Sequence, residues 1–334
     1  MSVRLSFILP CYNVGRFITD TLRSLYAQGM PEDEFEVICV NDCSTDDTHD
    51  RIAAFSDNHS NLILLDQPRN MYSGAARNRG LDIAQGDYIW FVDSDDLVKP
   101  AVAPRLLEMA LSFNLDLLLF NYDEFLDEHP EDIHPAKDIF KDTEVMDGGM
   151  FVHECFGDRL TRLSLLWLRL FRRGLIEENG IRFPDLYISQ DCPFAWETLL
   201  LSKRVKAISE HCYLYRSSAG SITANKNTAK KAAVWSFQFP YELERLQNTV
   251  DGKVPVGIVR EISRNMCHEV NQFARRYNLL PGTEKSAYYQ AMHSDREWFQ
   301  KFKSKLTRRN RLIYRSGFWG ERVFALFAKR FTKD

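Results

Sequence analysis

Tyr88-Ile89-Trp90-Phe91-Val92 is a short apolar run of strand-forming residues, set off by Gly86, that leads directly into Asp93-Ser94-Asp95-Asp96. Its length, aromatic content and β-branching predict a buried strand. A strand that ends in three crowded carboxylates delivers them to its C-terminal rim, where open α/β sheets bind ligands. Carboxylates at that spacing repel one another. A hard divalent cation relieves the repulsion, and Mg²⁺ commonly takes one or two carboxylates together with substrate phosphates. The same residues would also serve as a solvated turn, or as an Asp cap for the next helix. Asp-x-Asp alone does not separate these readings.

The preceding chain supplies the sheet this strand needs. Leu5 to Leu9 reads as a strand stopped at Pro10. Phe17, Ile18, Leu22 and Leu25 lie on one face of a helix closed by Gly29. Phe35 to Val40 reads as a second strand, ending in Asn41-Asp42-Cys43-Ser44-Thr45-Asp46-Asp47, where Ser44 or Thr45 can cap a helix. A third strand is expected from Asn61 to Leu65 and an Ala/Arg-rich helix from Ser73 to Ala84. Such alternation at short intervals predicts βαβ units and a mostly parallel sheet. No G-x-G-x-x-G follows the first strand, so a dinucleotide fingerprint is absent. The ends of strands one, two and four then share one edge. There Pro10, Cys11, Tyr12, Asn13, Asn41, Asp42 and the carboxylates of residues 93–96 offer a ring, amides and acids suited to a base, a ribose and a metal-bound diphosphate.

Further along, Leu115 to Tyr122 reads as a strand, and the acidic stretch up to about Gly149 as an irregular insertion. A helix is expected from about Pro193 to Leu201. Gly220-Ser221-Ile222-Thr223 reads as a mobile loop, and the chain from about Lys230 as helical. Ile258, Ile262, Met266, Val270 and Phe273 recur at helical spacing as core contacts. The seven cysteines include no C-x-x-C pair, so reduced thiols are expected rather than disulfides or a zinc site. Leu5 to Leu9 is too short for a signal sequence, and no apolar run reaches membrane-spanning length. A cytoplasmic location follows as an expectation.

Pro10-x-Tyr12-Asn13, Asn41-Asp42-x-Ser44-x-Asp46, Ala76-Arg77-Asn78-x-Gly80 and Asp93-Ser94-Asp95-Asp96 occur in that order over the first hundred residues. As an ordered set they resemble the family 2 glycosyltransferases with the GT-A fold. Glu177 to Pro184, with Gln190-Asp191-x-x-Phe194, resembles the acceptor half of bacterial capsule, O-antigen and exopolysaccharide members. The resemblance covers about residues 3 to 225. It implies a Rossmann-like GT-A domain over 1–225, with a donor half to about 100 and an acceptor half beyond it. A helical C-terminal region would follow over 226–334.

The implied activity is inverting transfer of a sugar from a nucleotide-diphosphate sugar, with a UDP-sugar as the leading expectation. The acceptor would be a saccharide or lipid-linked saccharide in surface polysaccharide synthesis. By that resemblance Pro10, Tyr12, Asn13, Asp42, Arg77, Asp93, Ser94 and Asp95 bind donor. Asp42 would face the base, Asp93 the ribose, and Asp95 a Mg²⁺ or Mn²⁺ ion that neutralises charge on the leaving nucleotide. Asp191 matches the family's base, which must lie opposite the leaving group to deprotonate an acceptor hydroxyl. Gln190 stands where the family has Glu, which removes a negative neighbour and, other things equal, lowers the pKa of Asp191.

Position alone leaves other readings open. Asp191 would equally cap the helix beginning near Pro193. Arg77 and Asn78 would brace a helix against the sheet, and His211 reads as structural rather than as a metal ligand. Arg216 would reach the diphosphate as a lid residue or lie at the surface. A nucleotidyltransferase would show a Gly- and Lys/Arg-rich loop after the first strand, and Pro10 to Arg16 has one Gly and one Arg. A non-catalytic nucleotide- or carbohydrate-binding module fits poorly with a chain that keeps both Asp95 and Asp191.

Charge is unevenly spread along the chain. Residues 296–334 carry twelve Lys/Arg against three Asp/Glu, and the preceding residues carry 31 against 43. Phe318, Trp319, Val323, Phe324, Leu326, Phe327 and Phe331, interleaved with Arg322, Lys329, Arg330 and Lys333, give a basic aromatic helix. That composition suits either an interfacial anchor on an anionic membrane, which would make the protein peripheral on the inner face of the cell membrane, or a terminal helix packed on the body. The acidic balance of the rest disfavours nucleic acid as a partner.

Overall fold

The structure, a computed structural model, describes residues 3–160, 163–217, 228–317 and 320–331. Two compact units divide the chain: residues 1–185 with 190–219, and residues 186–189 with 220–334.

The first unit is built on one mixed sheet of nine strands. β1 (Leu5–Cys11), β2 (Phe35–Asn41), β3 (Leu62–Asp66) and β4 (Tyr88–Phe91) run parallel in the order β3-β2-β1-β4. Each is followed by a helix or a tight turn: α1 (Gly15–Tyr26), α2 (Thr48–Ser56), α3 (Tyr72–Leu81), and after β4 the carboxylate segment leading to β5 (Leu97–Val98). β1 and β2 are buried almost throughout, as expected of strands covered on both faces. α1 turns Ile18, Leu22 and Leu25 inward. α3 lies close on β1 because residue 80 is glycine. A Cβ there would stand 2.5 Å from Ile8 Cγ2.

Beyond α4 (Ala103–Ser112) the sheet changes direction. β6 (Leu117–Leu126) pairs antiparallel with both β7 (His129–Pro135) and β8 (Arg169–Arg172), and parallel with β9 (Val205–Ser217). β8 also pairs antiparallel with β4, joining the two halves of the sheet. α5 (Gly148–Phe156), α6 (Arg173–Glu178) and α7 (Asp191–Leu201) complete the unit.

The acidic stretch expected to be irregular therefore contains a hairpin strand, and a helix begins where it ends. Every residue of β7 is exposed, so no apolar alternation marks it. α5 opens on two glycines, a composition that disfavours helix. Asp147 caps it by accepting from the Met150 N–H at 3.0 Å. Gly148 is required by packing, since a Cβ there would fall 1.6 Å from the Leu199 carbonyl oxygen. The core beneath β4 is aromatic. Trp90 packs on Phe7 and Phe120 and donates its indole N–H to the Trp167 carbonyl at 2.9 Å. Phe91 meets Phe171, Phe183 and Phe194 edge-on.

The second unit is helical: α8 (Ala229–Ala233), a π-helical turn (Val234–Gln238), α9 (Phe239–Val250), α10 (Val256–Asn271), α11 (Phe273–Leu279), α12 (Gly282–Ser294), α13 (Arg296–Phe302), α14 (Arg308–Ser316) and α15 (Glu321–Phe331). Ile258, Ile262, Met266, Val270 and Phe273 are fully buried, as their spacing predicts. The core centres on Phe273, Tyr288, Trp298 and Tyr314, with the Tyr288 hydroxyl 2.8 Å from Ser236 Oγ and donating to the Phe273 carbonyl at 3.0 Å.

The basic aromatic tail resolves into two faces. Phe324 is fully buried against Phe273, Tyr277 and Tyr289, whereas Leu326 of the same apolar set is 68% exposed, so the set is divided between packing and surface. Phe318 and Trp319 lie outside the described residues, as does the loop at Gly220-Ser221. Among the described residues no helix is long and apolar enough to cross a membrane. All seven cysteines are free.

Candidate active site

The rim of the parallel strands is laced together by side chains from successive loops. Asn13 adopts a left-handed backbone (φ 52°), which asparagine tolerates better than most residues. Its N–H donates to Ser44 Oγ at 3.1 Å, and its side-chain oxygen accepts from the Thr45 N–H at 2.8 Å. The Val14 and Gly15 N–H groups bond Thr48 Oγ1 and Asp46 Oδ2 at 2.8 and 3.0 Å. The loops after β1 and β2 thus hold each other, and Tyr12 is left 44% exposed between them. Asp42 is buried. Its Oδ1 accepts from Gln67 Nε2 at 2.9 Å and from the Met71 N–H at 2.7 Å, fixing the chain ahead of α3.

The carboxylates after β4 have three different fates. Asp93 accepts at Oδ1 from Arg77 Nη2 at 2.7 Å. Asp96 is almost fully buried, taking the Tyr213 hydroxyl at Oδ2 (2.9 Å) and the Arg216 N–H at Oδ1 (2.7 Å). Tyr213 Oη in turn accepts the Asp93 N–H at 3.1 Å. Burial, then the charges of Asp95 and Asp93, push the Asp96 carboxyl well above the usual range. Asp96 is thus a brace between the β4 turn and β9. Asp95, between them, makes no side-chain hydrogen bond to another of the described residues, and burial followed by the neighbouring Asp93 pushes its pKa up to about 6 against its own backbone N–H and Arg216. Ser94 points its hydroxyl at the Pro10 carbonyl (2.8 Å), tying the ends of β4 and β1.

Arg216, read as either a lid residue or a surface residue, is here a second brace. It is 9% exposed, pairs with Asp127 at 2.9 Å, donates from Nε to the Asp95 carbonyl at 2.6 Å, and stands 4.9 and 4.7 Å from the ring centroids of Phe17 and Phe125. His211 is held between Asp123 and Asp138 on β6 and the chain after β7.

The acceptor-half motif is brought to this rim by α3. Asn78 and Phe183 exchange two bonds, Nδ2 to the Phe183 carbonyl and the Phe183 N–H to Oδ1, each 2.9 Å. Phe183 stacks on Phe194 of α7 at 3.9 Å. Gln190 Nε2 donates to Ser73 Oγ, while its Oε1 is buried without a partner. This approach needs Gly74, where a Cβ would meet Gln190 Cγ at 2.8 Å.

Asp191 is the first residue of α7, and the residue at the cap position is Gln190, which makes no side-chain cap bond. Burial raises the Asp191 pKa; Arg77 pulls it down and Asp93 pushes it up, so the three groups share one electrostatic site. The lowering expected from Gln190 is outweighed by that burial. Beneath α7, Arg169 is fully buried with no carboxylate bonded to it. It donates to the carbonyls of Leu163, Leu165 and Ala195, and burial lowers its pKa to about 9 against the charge of Asp191.

Sequence reading did not single out Tyr213, Arg169 or the bracing role of Asp96. Tyr213 lies in an aromatic alternation with Tyr215 that marks only a strand, and Arg169 sits in a run of leucines. The partners of Tyr213 lie more than a hundred residues away in sequence, and Arg169 reaches Ala195, 26 residues on, besides the nearby Leu163 and Leu165.

Among the described residues, the one group of three potential ligand side chains with donor atoms within 4.8 Å is His129, Glu131 and Asp132, exposed on β7. The β4 turn is different in kind. It offers one carboxylate, that of Asp95, short of hydrogen-bond donors and facing the charge of Asp93. That fits a hard cation which completes its shell with phosphate oxygens and water.

A family model described as glycosyl transferase family 2 matches residues 6–170. An Escherichia coli K12 protein named uncharacterized glycosyltransferase YibD is 30% identical over 230 residues, 67% of this chain and 66% of its own length. Uncharacterized glycosyltransferase EpsJ of Bacillus subtilis 168 is 30% identical over 223 residues, 65% of this chain and 62% of EpsJ. Poly(ribitol-phosphate) beta-N-acetylglucosaminyltransferase TarS of Staphylococcus aureus Mu50 is 29% identical over 224 residues, 64% of this chain and 35% of TarS. The chain thus spans just under two thirds of the first two relatives and about a third of the last. Among solved structures, TarS 1–349 of S. aureus in complex with UDP superposes with a TM-score of 0.64 at 19% identity, covering 98% of this chain and 91% of that one. A Pyrobaculum calidifontis mannosyltransferase, PcManGT, in complex with GDP-Man and Mn²⁺, gives 0.52 at 16% identity, covering 100% and 89%. At those identities the likeness is one of fold.

Proposed function

Because this chain belongs to glycosyl transferase family 2 and has the GT-A fold, we propose that it transfers a sugar from a nucleotide-diphosphate sugar to an acceptor hydroxyl with inversion, assisted by a divalent metal. The observation that carries this reading is the meeting of Asp93 and Asp191 at Arg77, with Asp95 next to Asp93, at the rim of the parallel strands.

In this reading the nucleoside lies across the β1 and β2 ends, with Asp42 toward the base, Tyr12 as an exposed ring beside it, and Asp93 toward the ribose. Pro10, Asn13, Arg77 and Ser94 shape and hold that rim. Asp95 would hold the metal, Mg²⁺ or Mn²⁺, which neutralises charge on the departing diphosphate. Arg77 keeps Asp93 in one orientation and favours the ionised form of Asp191. Asp191 then takes the proton of the acceptor hydroxyl as that oxygen bonds the anomeric carbon and the bond to the diphosphate breaks. Burial makes Asp191 a stronger base than a solvated carboxylate, and Arg77 keeps it from being neutralised outright.

We assign the donor to residues 1–100 and the acceptor to the half that carries Asp191. A UDP-sugar is the donor to try first, since TarS is seen with UDP and with UDP-GlcNAc. A saccharide or lipid-linked saccharide is the acceptor class.

The test is a panel of UDP- and GDP-sugars screened by thermal shift and by donor hydrolysis, with Mn²⁺, with Mg²⁺ and with EDTA. Donor-dependent stabilisation and turnover that vanish in EDTA are expected. Asp191→Asn should retain donor affinity and lose turnover. Undiminished turnover in EDTA removes the metal role, and turnover of Asp191→Asn within a few-fold of wild type removes the base.

A further inference from the structure

The helices that close the second unit pack on each other and turn a distinct kind of surface outward. α14 buries Asn310, Ile313, Tyr314 and Ser316. Arg308, Arg311, Leu312 and Arg315 are exposed, and their spacing confines them to an arc of about 100° on the opposite side. α15 buries Phe324 and Ala328. Arg322, Leu326, Lys329 and Arg330 are exposed and occupy a second arc of about 100°. Each helix therefore shows one large apolar side chain among three cations. Leu312 is 53% and Leu326 68% exposed, and neither arc contains a carboxylate. Glu321, the acid in α15, bonds Ser286 at 3.1 Å. No ion pair is recorded among the described residues for Arg308, Arg311, Arg315, Arg322 or Lys329, and Arg315 lies over the Phe299 ring.

We propose that these two helix faces dock the protein on an anionic lipid surface, with the cations among the headgroups and Leu312 and Leu326 seated at the headgroup–acyl boundary. The charge identifies a polyanion, and the residue type at the centre of each arc selects lipid. A single-stranded nucleic acid is held by exposed aromatic rings that stack on bases. Among the described residues of these two helices Tyr314 and Phe324 point into the core, Phe327 is half-buried, and the large apolar side chains that are exposed are leucines, which contribute nothing to a phosphate backbone and partition into lipid. This surface keeps Leu326 and the cations of the set that composition nominates and leaves out Phe324, which is buried. It is independent of the transfer chemistry, so Asp191→Asn must bind vesicles as well as wild type does.

The experiment is co-sedimentation of the full chain with vesicles of phosphatidylcholine alone and of phosphatidylcholine with about one third phosphatidylglycerol, at low and high NaCl. Binding is expected only to the anionic vesicles, falling about tenfold or more as salt shortens the screening length. Leu312→Ser with Leu326→Ser, both exposed and outside the core, should weaken vesicle binding about tenfold and leave binding to a single-stranded oligonucleotide or heparin unchanged. Arg308→Gln with Arg311→Gln and Arg315→Gln should weaken both. Circular dichroism and melting temperature confirm that each variant is folded. Equal binding to neutral vesicles, no vesicle binding at all, or leucine variants that bind anionic vesicles as wild type does would each overturn the proposal; the last result, with oligonucleotide binding retained, would make the surface a general polyanion site.

Discussion

Replacing Asp95 by Asn separates the stability of the β4 turn from its chemistry. The Asp95 carboxyl ionises near 3.8 in an unfolded chain and at about 6 in the folded one, raised first by burial and then by Asp93. Between those values the folded protein holds a proton that the unfolded chain has released. The metal-free protein therefore loses stability as pH rises from about 4 to about 6, and carries the full penalty above that. About two pKa units at 1.36 kcal/mol each set the penalty at roughly 3 kcal/mol. Asn keeps the shape and cannot ionise. In EDTA, Asp95→Asn should be more stable than wild type by about 2–3 kcal/mol at pH 8 and indistinguishable from it below pH 4, with part of the gain arising from relief of Asp96. Urea unfolding at both pH values, with unchanged slopes, gives the difference directly. The same variant should lose transfer and lose the stabilisation that Mn²⁺ confers on wild type. A variant less stable than wild type at pH 8, or a difference that does not change with pH, would refute the argument that this carboxylate is held against its own solvation.

Tyr213→Phe leaves Asp96 Oδ2 and the Asp93 N–H without their partner, so a loss of about 2–4 kcal/mol in urea unfolding is expected, with weaker donor binding by calorimetry. Unchanged stability would mean that the hydroxyl is replaced by water at no cost. For His211, burial alone would lower the pKa, but bonding to Asp138 and Asp123 outweighs it and the pKa is raised. Its contribution to stability should be complete below pH 6.5 and fade as pH rises through the folded value, and His211→Gln should abolish that limb of the melting temperature–pH curve. Gly80→Val places methyls where Ile8 Cγ2 already stands and should cost about 1–3 kcal/mol; a melting temperature equal to wild type would show that α3 can lift from β1 freely.

The parallel half of the sheet was legible because its signals are local. β1, β2 and β4 are short apolar runs with stops at Pro10, Asn41-Asp42 and Asp93, and each stop is also a residue of the rim. The rest depended on contacts that no local pattern encodes. β7 is exposed along its whole length, and Ser209-Glu210-His211 interrupts β9 with polar residues, so neither reads as a strand of its full extent. The proximity of Asp191 to Asp93 rests on Asn78 clasping Phe183, a pairing across 105 residues. In the tail, composition shows that a helix has aromatic and basic residues but not which go inward. Phe324 does, because Phe273, Tyr277 and Tyr289 offer it a socket.

The tie from Tyr213 and Arg216 to the turn at Asp93–Asp96 sets a schedule for the chain as it is made. The first hundred residues carry the four parallel strands and the carboxylates that follow β4. The strand that pins those carboxylates follows more than a hundred residues later. At the usual rates of synthesis that is an interval of several seconds or more. Through it, the buried acids of the turn have neither hydroxyl nor backbone donor from β9. On the proposed function, a nascent chain stalled near residue 170 would have most of the strands yet engage no nucleotide, and donor binding is expected to arrive only once residue 216 has cleared the exit tunnel.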